Sequence, residues 1–183
     1  MSPNKRLLKE LKDRKSVRAF ADKEIEPEKL EALWEAAGWA PSSRNLQEWH
    51  YYAATGNARG KFKDVLMEGN EWALKAPLLI GVTRDTSIEN SVQTREYGAY
   101  DVALSVMSLV IEAEHQGLRT HQMGGFDENV FRNNLNIPEN EKPAVVIAVG
   151  YEGDIDDLDG IALEKEKKPR ERKSIDEMVT MLK

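Results

Sequence analysis

The sequence contains no cysteine among its 183 residues. Disulfide bonds, thiolate metal sites and cysteine nucleophiles are therefore excluded. The absence fits a reducing compartment, and we expect a cytoplasmic protein. The sequence also lacks an apolar run of the ~20 residues that a membrane span requires, and its first residues, MSPNKRLLKELKDRK, lack the apolar stretch of a signal peptide. We therefore expect no membrane partner.

An excess of basic residues is absent as well. The 26 Lys and Arg residues stand against 32 Asp and Glu residues, and the formal charge of −6 argues against a nucleic-acid partner. His50, His115 and His121 do not have the spacing of metal ligands, and no HExxH, serine-elbow or triad pattern is present. The composition, 40% hydrophobic and 32% charged, is that of a globular chain. We expect one domain over residues 1–183 and no metal site.

Helical and strand patterns follow one another without an internal repeat. The apolar periodicity of residues 95–116 predicts a long helix that is central or lies at a subunit interface, and Gly117 would end it. The polar segment 151–173, followed by the capping-box sequence SIDE, indicates an arm that is disordered or anchored, for instance on a partner subunit. These patterns leave the fold class open between α+β and layered α/β. The other predicted elements are helices around residues 7–15, 27–40, 62–66 and 127–135, and strands at 50–55, 78–83 and 144–150.

Two short basic clusters lie near opposite ends of the chain. RKSVR at 14–18 surrounds a serine with three cations, and KKPRERK at 167–173 carries two alternating arginines that point the same way in an extended chain. Guanidinium groups pair with phosphate oxygens in a bidentate manner, so each cluster is a candidate anion site. Each also fits an ordinary solvated charge run. The candidate residues are Arg14, Lys15, Ser16, Arg18, Arg170 and Arg172.

Two further segments carry candidate residues. Gly124 and Gly125 in GGFD would let a flat ligand approach the backbone, or would form a simple turn before a helix that Asp127 caps. The stretch WAPSSRNLQEWH at 39–50 is too polar for a core strand and too aromatic for an ordinary loop. We expect its two tryptophans, Trp39 and Trp49, to anchor the core. Its polar groups are ligand-binding candidates that would equally well cap and turn the chain: Ser42, Ser43, Asn45 and Gln47.

Taken in order, these segments resemble the nitroreductase family. RKSVRAF, APSSRNLQEW, APLLIGVT, a long helix ending in GL, GGFD, PAVVIAVGY and RERKSIDEMV cover the chain from about Arg14 to Val179. Glu48 departs from the family's QPW, where proline is usual. The resemblance implies an α+β, three-layer fold with a central mixed, mainly antiparallel sheet flanked by helices. It also implies a homodimer with an extended C-terminal arm and FMN bound at the subunit interface.

The resemblance also assigns expected roles to the candidates. Arg14 and Ser16, beside Lys15, would hold the phosphate and ribityl end of FMN, while Arg18 would reach the pyrimidine edge of the ring. The backbone of the Gly124 turn would face flavin N5, and the acidic side chain that many members have at the first glycine is missing here. The late pair Arg170 and Arg172 would also bind the phosphate, and Asn70 or Trp72 would make a further contact. The segment reaching the flavin from the other subunit would comprise Pro41, Ser42, Ser43 and Asn45, with Gln47 beside them.

The implied activity is an FMN-dependent NAD(P)H oxidoreductase, with NADH or NADPH as co-substrate and a nitroaromatic, quinone or similar small molecule as electron acceptor. The flavin carries the chemistry in such an enzyme, so no catalytic side chain is expected; Arg18 and Gly124 would tune the flavin. Other flavin chemistry found in relatives remains open, namely dehalogenation, enoate reduction or flavin breakdown. So does a flavin-binding protein without turnover.

Overall fold

The structure, a computed structural model, describes residues 7–182. Its main sheet has the strand order β1-β2-β6-β5, and every neighbouring pair in it is antiparallel. A parallel bridge between Ser16 and Thr120 extends the β5 edge and gives the sheet its mixed character. The strands are β1 Trp49–Thr55, β2 Leu78–Asp85, β3 Ser91–Val92, β4 Arg95–Glu96, β5 Arg119–Met123 and β6 Glu141–Gly150. The helices are α1 Lys9–Asp13, α2 Pro27–Gly38, α3 Gly98–His115, α4 Glu128–Leu135, α5 Gly160–Lys167 and α6 Ile175–Met178.

The sheet separates two apolar layers, because successive side chains of a strand point to opposite faces. Leu79 of β2 packs with Phe62, Trp72 and Phe131 of α4 on one face. Leu78, Ile80 and Val82 pack on the other face, in a cluster with residues of α2 and α3. Helices therefore cover both faces, which is the predicted three-layer α+β arrangement.

The long helix α3 is present but begins later than its periodicity indicates. It runs from Gly98 to His115, because Arg95–Glu96 pair with Ser91–Val92 in a small hairpin. Gly117, at φ +75°, ends the helix as predicted, since glycine adopts this left-handed conformation without a Cβ clash.

The predicted helix around residues 62–66 is wrong. A 3₁₀ segment covers Gly56–Phe62 instead, and the chain continues as a turn. Phe62, Val65 and Leu66 are buried as their spacing suggested, but Gly56 and Gly60 lower the helix propensity before them. The side chain of Arg59 fixes the segment by donating to the carbonyls of Leu74 and Ala76 at 3.1 and 2.7 Å.

The chain after β6 is only partly an extended arm. It contains a 3₁₀ segment, Ile155–Asp157, and the helix α5 before it reaches α6. The capping box of α6 is confirmed. The Ser174 side chain accepts a hydrogen bond from the Glu177 backbone N–H, and the Glu177 carboxylate accepts one from the Ser174 backbone N–H. Every residue from 171 to 182 is exposed. Across the described part of the chain, the helices are too short or too polar to cross a bilayer.

Candidate functional site

The two basic clusters of the sequence lie together in one cleft of about 750 Å³. Eight of its lining side chains are cationic and two are acidic, so the cleft is strongly positive. The first cluster lies in the chain between α1 and the sheet edge, and the second follows α5. The lining residues are Lys12, Asp13, Arg14, Lys15, Ser16, Arg119, Lys165, Glu166, Lys168, Arg170 and Arg172.

Arg170 fixes the two clusters to each other. Its guanidinium donates hydrogen bonds to the backbone carbonyls of Arg14 and Lys12. Lys15 and Arg119 instead form ion pairs with Glu152, at 2.8 and 2.9 Å. Arg14 has no such salt bridge among the described residues. Three guanidinium groups are thus held close together, with those of Arg14 and Arg172 available to an anion.

The electrostatic environment of Arg14 favours the binding of an anion. Burial lowers the pKa of the Arg14 guanidinium, and the positive charges of Arg172 and Arg170 lower it further. Like charges that are brought together without a counter-ion repel one another. A bound phosphate would relieve this repulsion through charge-assisted hydrogen bonds.

Arg14 and Ser16 also form one end of a second cavity, an apolar groove of about 780 Å³. The groove runs along the exposed side of α3, and Gln122 of β5 and three residues at the start of the apolar part of β6 form its other wall. Arg84 lies at the end remote from Arg14. The lining residues are Arg14, Ser16, Arg84, Ala99, Val102, Ala103, Val106, Met107, Val110, Gln122, Pro143, Ala144 and Val145. A cationic cleft therefore opens into a long apolar groove at two shared residues.

The loop at residues 42–47 is polar, exposed in part and conformationally unusual. Arg44, Asn45 and Gln47 have φ values of 55°, 57° and 52°, a region that non-glycine residues seldom occupy. The Gln47 N–H donates to Ser42 Oγ at 3.0 Å, and its side chain donates to Asn45 Oδ1 at 3.1 Å. Clusters of such conformations persist where the surroundings hold them, commonly at ligand sites. Trp39, just before this loop, is 81% exposed, so its predicted core role is wrong. Trp49 does pack against the α2–α3 cluster.

The start of α3 holds this loop. The Ser43 N–H donates to Asp101 Oδ2 at 2.8 Å, and Asn90 Nδ2 donates to Ser43 Oγ at 2.7 Å. Neither partner could be predicted from the sequence, because Asp101 is a single acid in an apolar helix and Asn90 lies in an irregular segment. The crowding of polar groups in PSSRNLQ was the only sequence feature that indicated this loop.

Gly124 and Gly125 follow β5 directly. A Cβ on Gly125 would lie 2.8 Å from Asn70 Nδ2, whereas a Cβ on Gly124 would meet no atom within 4 Å. Asn70 Nδ2 donates to the Gly125 carbonyl at 3.1 Å, and the Met67 N–H donates to the same oxygen at 3.1 Å. The turn is therefore fixed from behind and open in front of Gly124. Of the two candidates for the further contact, Asn70 lies at this turn, while Trp72 is buried between Phe20 and His121.

Arg18 does not line the cleft or the groove. Its guanidinium lies 5.8 Å from the centre of the Trp72 ring and 3.5 Å from Glu166 Oε2 of α5. Its proposed contact with the pyrimidine edge remains a prediction.

Within one chain, the candidates fall into two groups at different parts of α3. The 42–47 loop is bound through Asp101 in the first turn of the helix, while α1, next to Arg14, binds its last turn through a His115–Glu10 contact of 3.0 Å. A helix of 18 residues is about 27 Å long. The two groups of candidates therefore lie near opposite ends of this helix.

The architecture places the protein in the α+β class, with a cationic cleft beside an apolar groove at one side of an antiparallel sheet. The chain belongs to the nitroreductase family, whose model matches residues 11–73 and 68–151. The family and the fold predicted from the sequence are therefore confirmed.

Relatives and solved structures agree with this assignment. The chain is 25% identical over 165 residues to the FMN reductase [NAD(P)H] of Bacillus subtilis, covering 81% of this chain and 66% of that protein. Its fold matches a crystal structure described as an oxidoreductase containing FMN, with a TM-score of 0.84, 27% identity, and coverage of 95% and 90% of the two chains. It also matches a nitroreductase family protein from Clostridium difficile, with a TM-score of 0.78, 22% identity, and coverage of 93% and 95%.

Proposed function

We propose that the protein is an FMN-dependent NAD(P)H oxidoreductase that reduces a nitroaromatic, quinone or similar small acceptor. One observation carries the proposal: Arg14 and Ser16 belong both to the cationic cleft and to the apolar groove. A ligand with a phosphate at one end and a flat ring at the other has this combination of charge and surface. Membership of the nitroreductase family and the FMN named for two similar proteins support the same cofactor.

The residues present fit FMN. Arg14 and Arg172, with Ser16, would bind the phosphate, and Arg170 would keep the two basic clusters together. The open space before Gly124 would admit the ring edge, since no side chain stands there. Bound FMN would accept hydride from NADH or NADPH and pass the electrons to the acceptor. The chain then needs no nucleophile of its own, which agrees with the absence of cysteine.

A homodimer with one domain per chain, residues 1–183, completes the proposal. The apolar groove along α3 is open, and the C-terminal arm exposes Ile175, Met178, Met181 and Leu182 by 71%, 63%, 79% and 91%. Exposed apolar patches of this kind mark surfaces that another chain covers. A second copy would also bring a 42–47 loop to the groove, with Pro41, Ser42, Ser43, Asn45 and Gln47 near the ring. The cytoplasmic location stays a prediction.

The deciding experiment is a spectrum of the purified protein, followed by addition of NADH or NADPH without air. A yellow protein that is bleached, and that then reduces a quinone or nitroaromatic in an acceptor screen, supports the proposal. Bleaching with turnover only of halogenated or enoate substrates would replace the acceptor class. A yellow protein inert to both nucleotides would be a flavin-binding protein without turnover. A colourless protein that FMN cannot reconstitute contradicts the proposal.

A further inference from the structure

Glu48 is an unusual residue in the segment before β1. It is 1% exposed, and neither of its carboxylate oxygens has a hydrogen-bond partner among the described residues. An ionised carboxylate that is buried without a partner is strongly disfavoured, so such groups take up a proton instead. Glu48 also stands where nitroreductases usually have proline, a residue that cannot be charged.

The charged groups that act on Glu48 are themselves acids. Burial raises the pKa of Glu48, and the neighbouring carboxylates of Asp101 of α3 and of Glu89 raise it further. The nearby cation, Arg84 of β2, binds the carboxylates of Glu89 and Glu96. Asp101 is also 1% exposed. Two ionised carboxylates side by side in this position would repel each other without a counter-ion.

A proton on Glu48 removes the repulsion between the two carboxylates. The protonated Glu48 can then donate a hydrogen bond, which the Asp101 carboxylate can accept. We propose that Glu48 is a positioning residue that remains protonated and donates a hydrogen bond to Asp101, and that this bond fixes the loop of residues 42–47. The connection is short: Asp101 Oδ2 accepts the Ser43 N–H at 2.8 Å. A neutral carboxylic acid held in an apolar environment is an established kind of hydrogen-bond donor.

The loop needs such a support, because Arg44, Asn45 and Gln47 adopt left-handed conformations. Loss of the Glu48 proton would place a second negative charge beside Asp101. The repulsion between the two carboxylates would then weaken the hydrogen bond from the Ser43 N–H to Asp101. The role of this loop at the flavin rests on the proposed function. The proton on Glu48 does not, and it is measurable without flavin or activity.

The raised pKa of Glu48 determines the direction in which the stability of the fold changes with pH. A carboxyl whose pKa is raised on folding binds its proton more tightly in the folded state. Its contribution to stability is complete below the ordinary pKa of glutamate and is lost as the pH rises through the folded-state pKa. Across that window, the folding equilibrium constant should fall by up to tenfold per pH unit.

The test is difference infrared spectroscopy together with urea unfolding from pH 5 to 9. Wild type should show the band of a protonated carboxylic acid at neutral pH; Glu48→Gln should lack it, and Glu68→Gln, at an exposed site, should keep it. Glu48→Gln should also lose part of the decline in stability with rising pH. In Asp101→Asn the band should disappear at a lower pH than in wild type, which keeps the proposal testable if Glu48→Gln does not fold.

No protonated band above pH 6, or the same pH dependence of stability in wild type and Glu48→Gln, would overturn the proposal. Flavin binding is then measured by titration of the same proteins with FMN. Failure of all of them to bind FMN, with the band present, would count against the proposed function alone. Tight FMN binding without the band would count against the proton alone.

Discussion

Arg18 is paired with Glu166 of α5. Glu166 Oε2 accepts the Arg18 backbone N–H at 2.9 Å and lies 3.5 Å from the guanidinium Nη1. Both side chains are largely buried, with 19% of Arg18 and 7% of Glu166 exposed. The cation that would stabilise the reduced flavin therefore has an anion of its own chain beside it. A flavin bound here would therefore experience the combined charge of Arg18 and Glu166, not that of Arg18 alone.

The pair predicts opposite shifts of the flavin potential in two variants. Arg18→Gln removes the positive charge and should lower the two-electron midpoint potential, because the anionic reduced flavin loses its counter-ion. Glu166→Gln removes the opposing charge and should raise it. A shift of about 30 mV corresponds to about 1.4 kcal/mol for a two-electron couple. A spectroelectrochemical titration measures both, with Glu164→Gln, an exposed residue of the same helix, as control. Unchanged potentials at full FMN occupancy would place the pair outside the flavin site.

The cleft predicts that its arginines distinguish FMN from riboflavin. Arg14→Ala and Arg172→Ala should weaken FMN by about 1.5–3 kcal/mol each, the range for hydrogen bonds to charged groups, and should leave riboflavin nearly unaffected. Arg170→Ala should act differently, because Arg170 binds the carbonyls of Arg14 and Lys12 and so supports the cleft itself. Fluorescence titration with both ligands measures the losses. Equal losses for FMN and riboflavin in the first two variants would remove these arginines from the phosphate.

The open groove predicts dimerisation through α3. Light scattering at micromolar concentration should give about twice the chain mass of 20.7 kDa. Met107→Asp places a charge in the groove and should shift the protein towards monomer, whereas Met67→Asp, at an exposed residue that does not line the groove, should not. Obligate dimers bury roughly 2,000 Å² or more, so one buried charge is costly. A wild-type monomer that still holds FMN would contradict the shared site.

Local patterns predicted much of this fold. The period of α3, the glycine that ends it, the Asp127 cap and the capping box at Ser174 depend on neighbours within one or two helical turns, and all of them are present. The segment around Phe62 failed because burial alone does not distinguish an α-helix from a 3₁₀ turn when two glycines precede it. Trp39 failed because an aromatic residue at a helix end does not by itself indicate which side the core is on.

The candidate site was less predictable, because its partners are distant in sequence. RKSVR and KKPRERK could be joined only through the family resemblance, and the contact between Arg18 and Glu166 spans 148 residues. Neither residue type nor spacing indicates that pair. Glu48 was visible as a departure from a motif, but its burial, like that of Asp101, depends on tertiary packing. A tertiary contact between two single polar residues produces no repeating pattern in the sequence, so it cannot be predicted from periodicity.

His121 predicts an acid-sensitive term in stability. Its Nδ1–H donates to the Val17 carbonyl at 2.8 Å, and its ring lies 4.6 Å from Trp72. Burial, with smaller contributions from the charges of Arg18 and Lys165, lowers the pKa of His121 to about 4. The unfolded chain, with an ordinary histidine pKa near 6.5, takes up the proton first. Stability from this residue is therefore complete above pH 6.5 and is lost as the pH falls towards 4.

His121→Gln keeps a hydrogen-bond donor for Val17 and removes the titration. Urea unfolding of this variant should show a shallower loss of stability between pH 6.5 and 4 than wild type. His115→Gln provides a control of opposite sign, because Glu10 raises the pKa of His115 and its contribution grows on acidification. That variant should lose stability more steeply in acid. Parallel curves for wild type and His121→Gln would show that His121 titrates alike in the folded and unfolded chain, and would contradict the prediction.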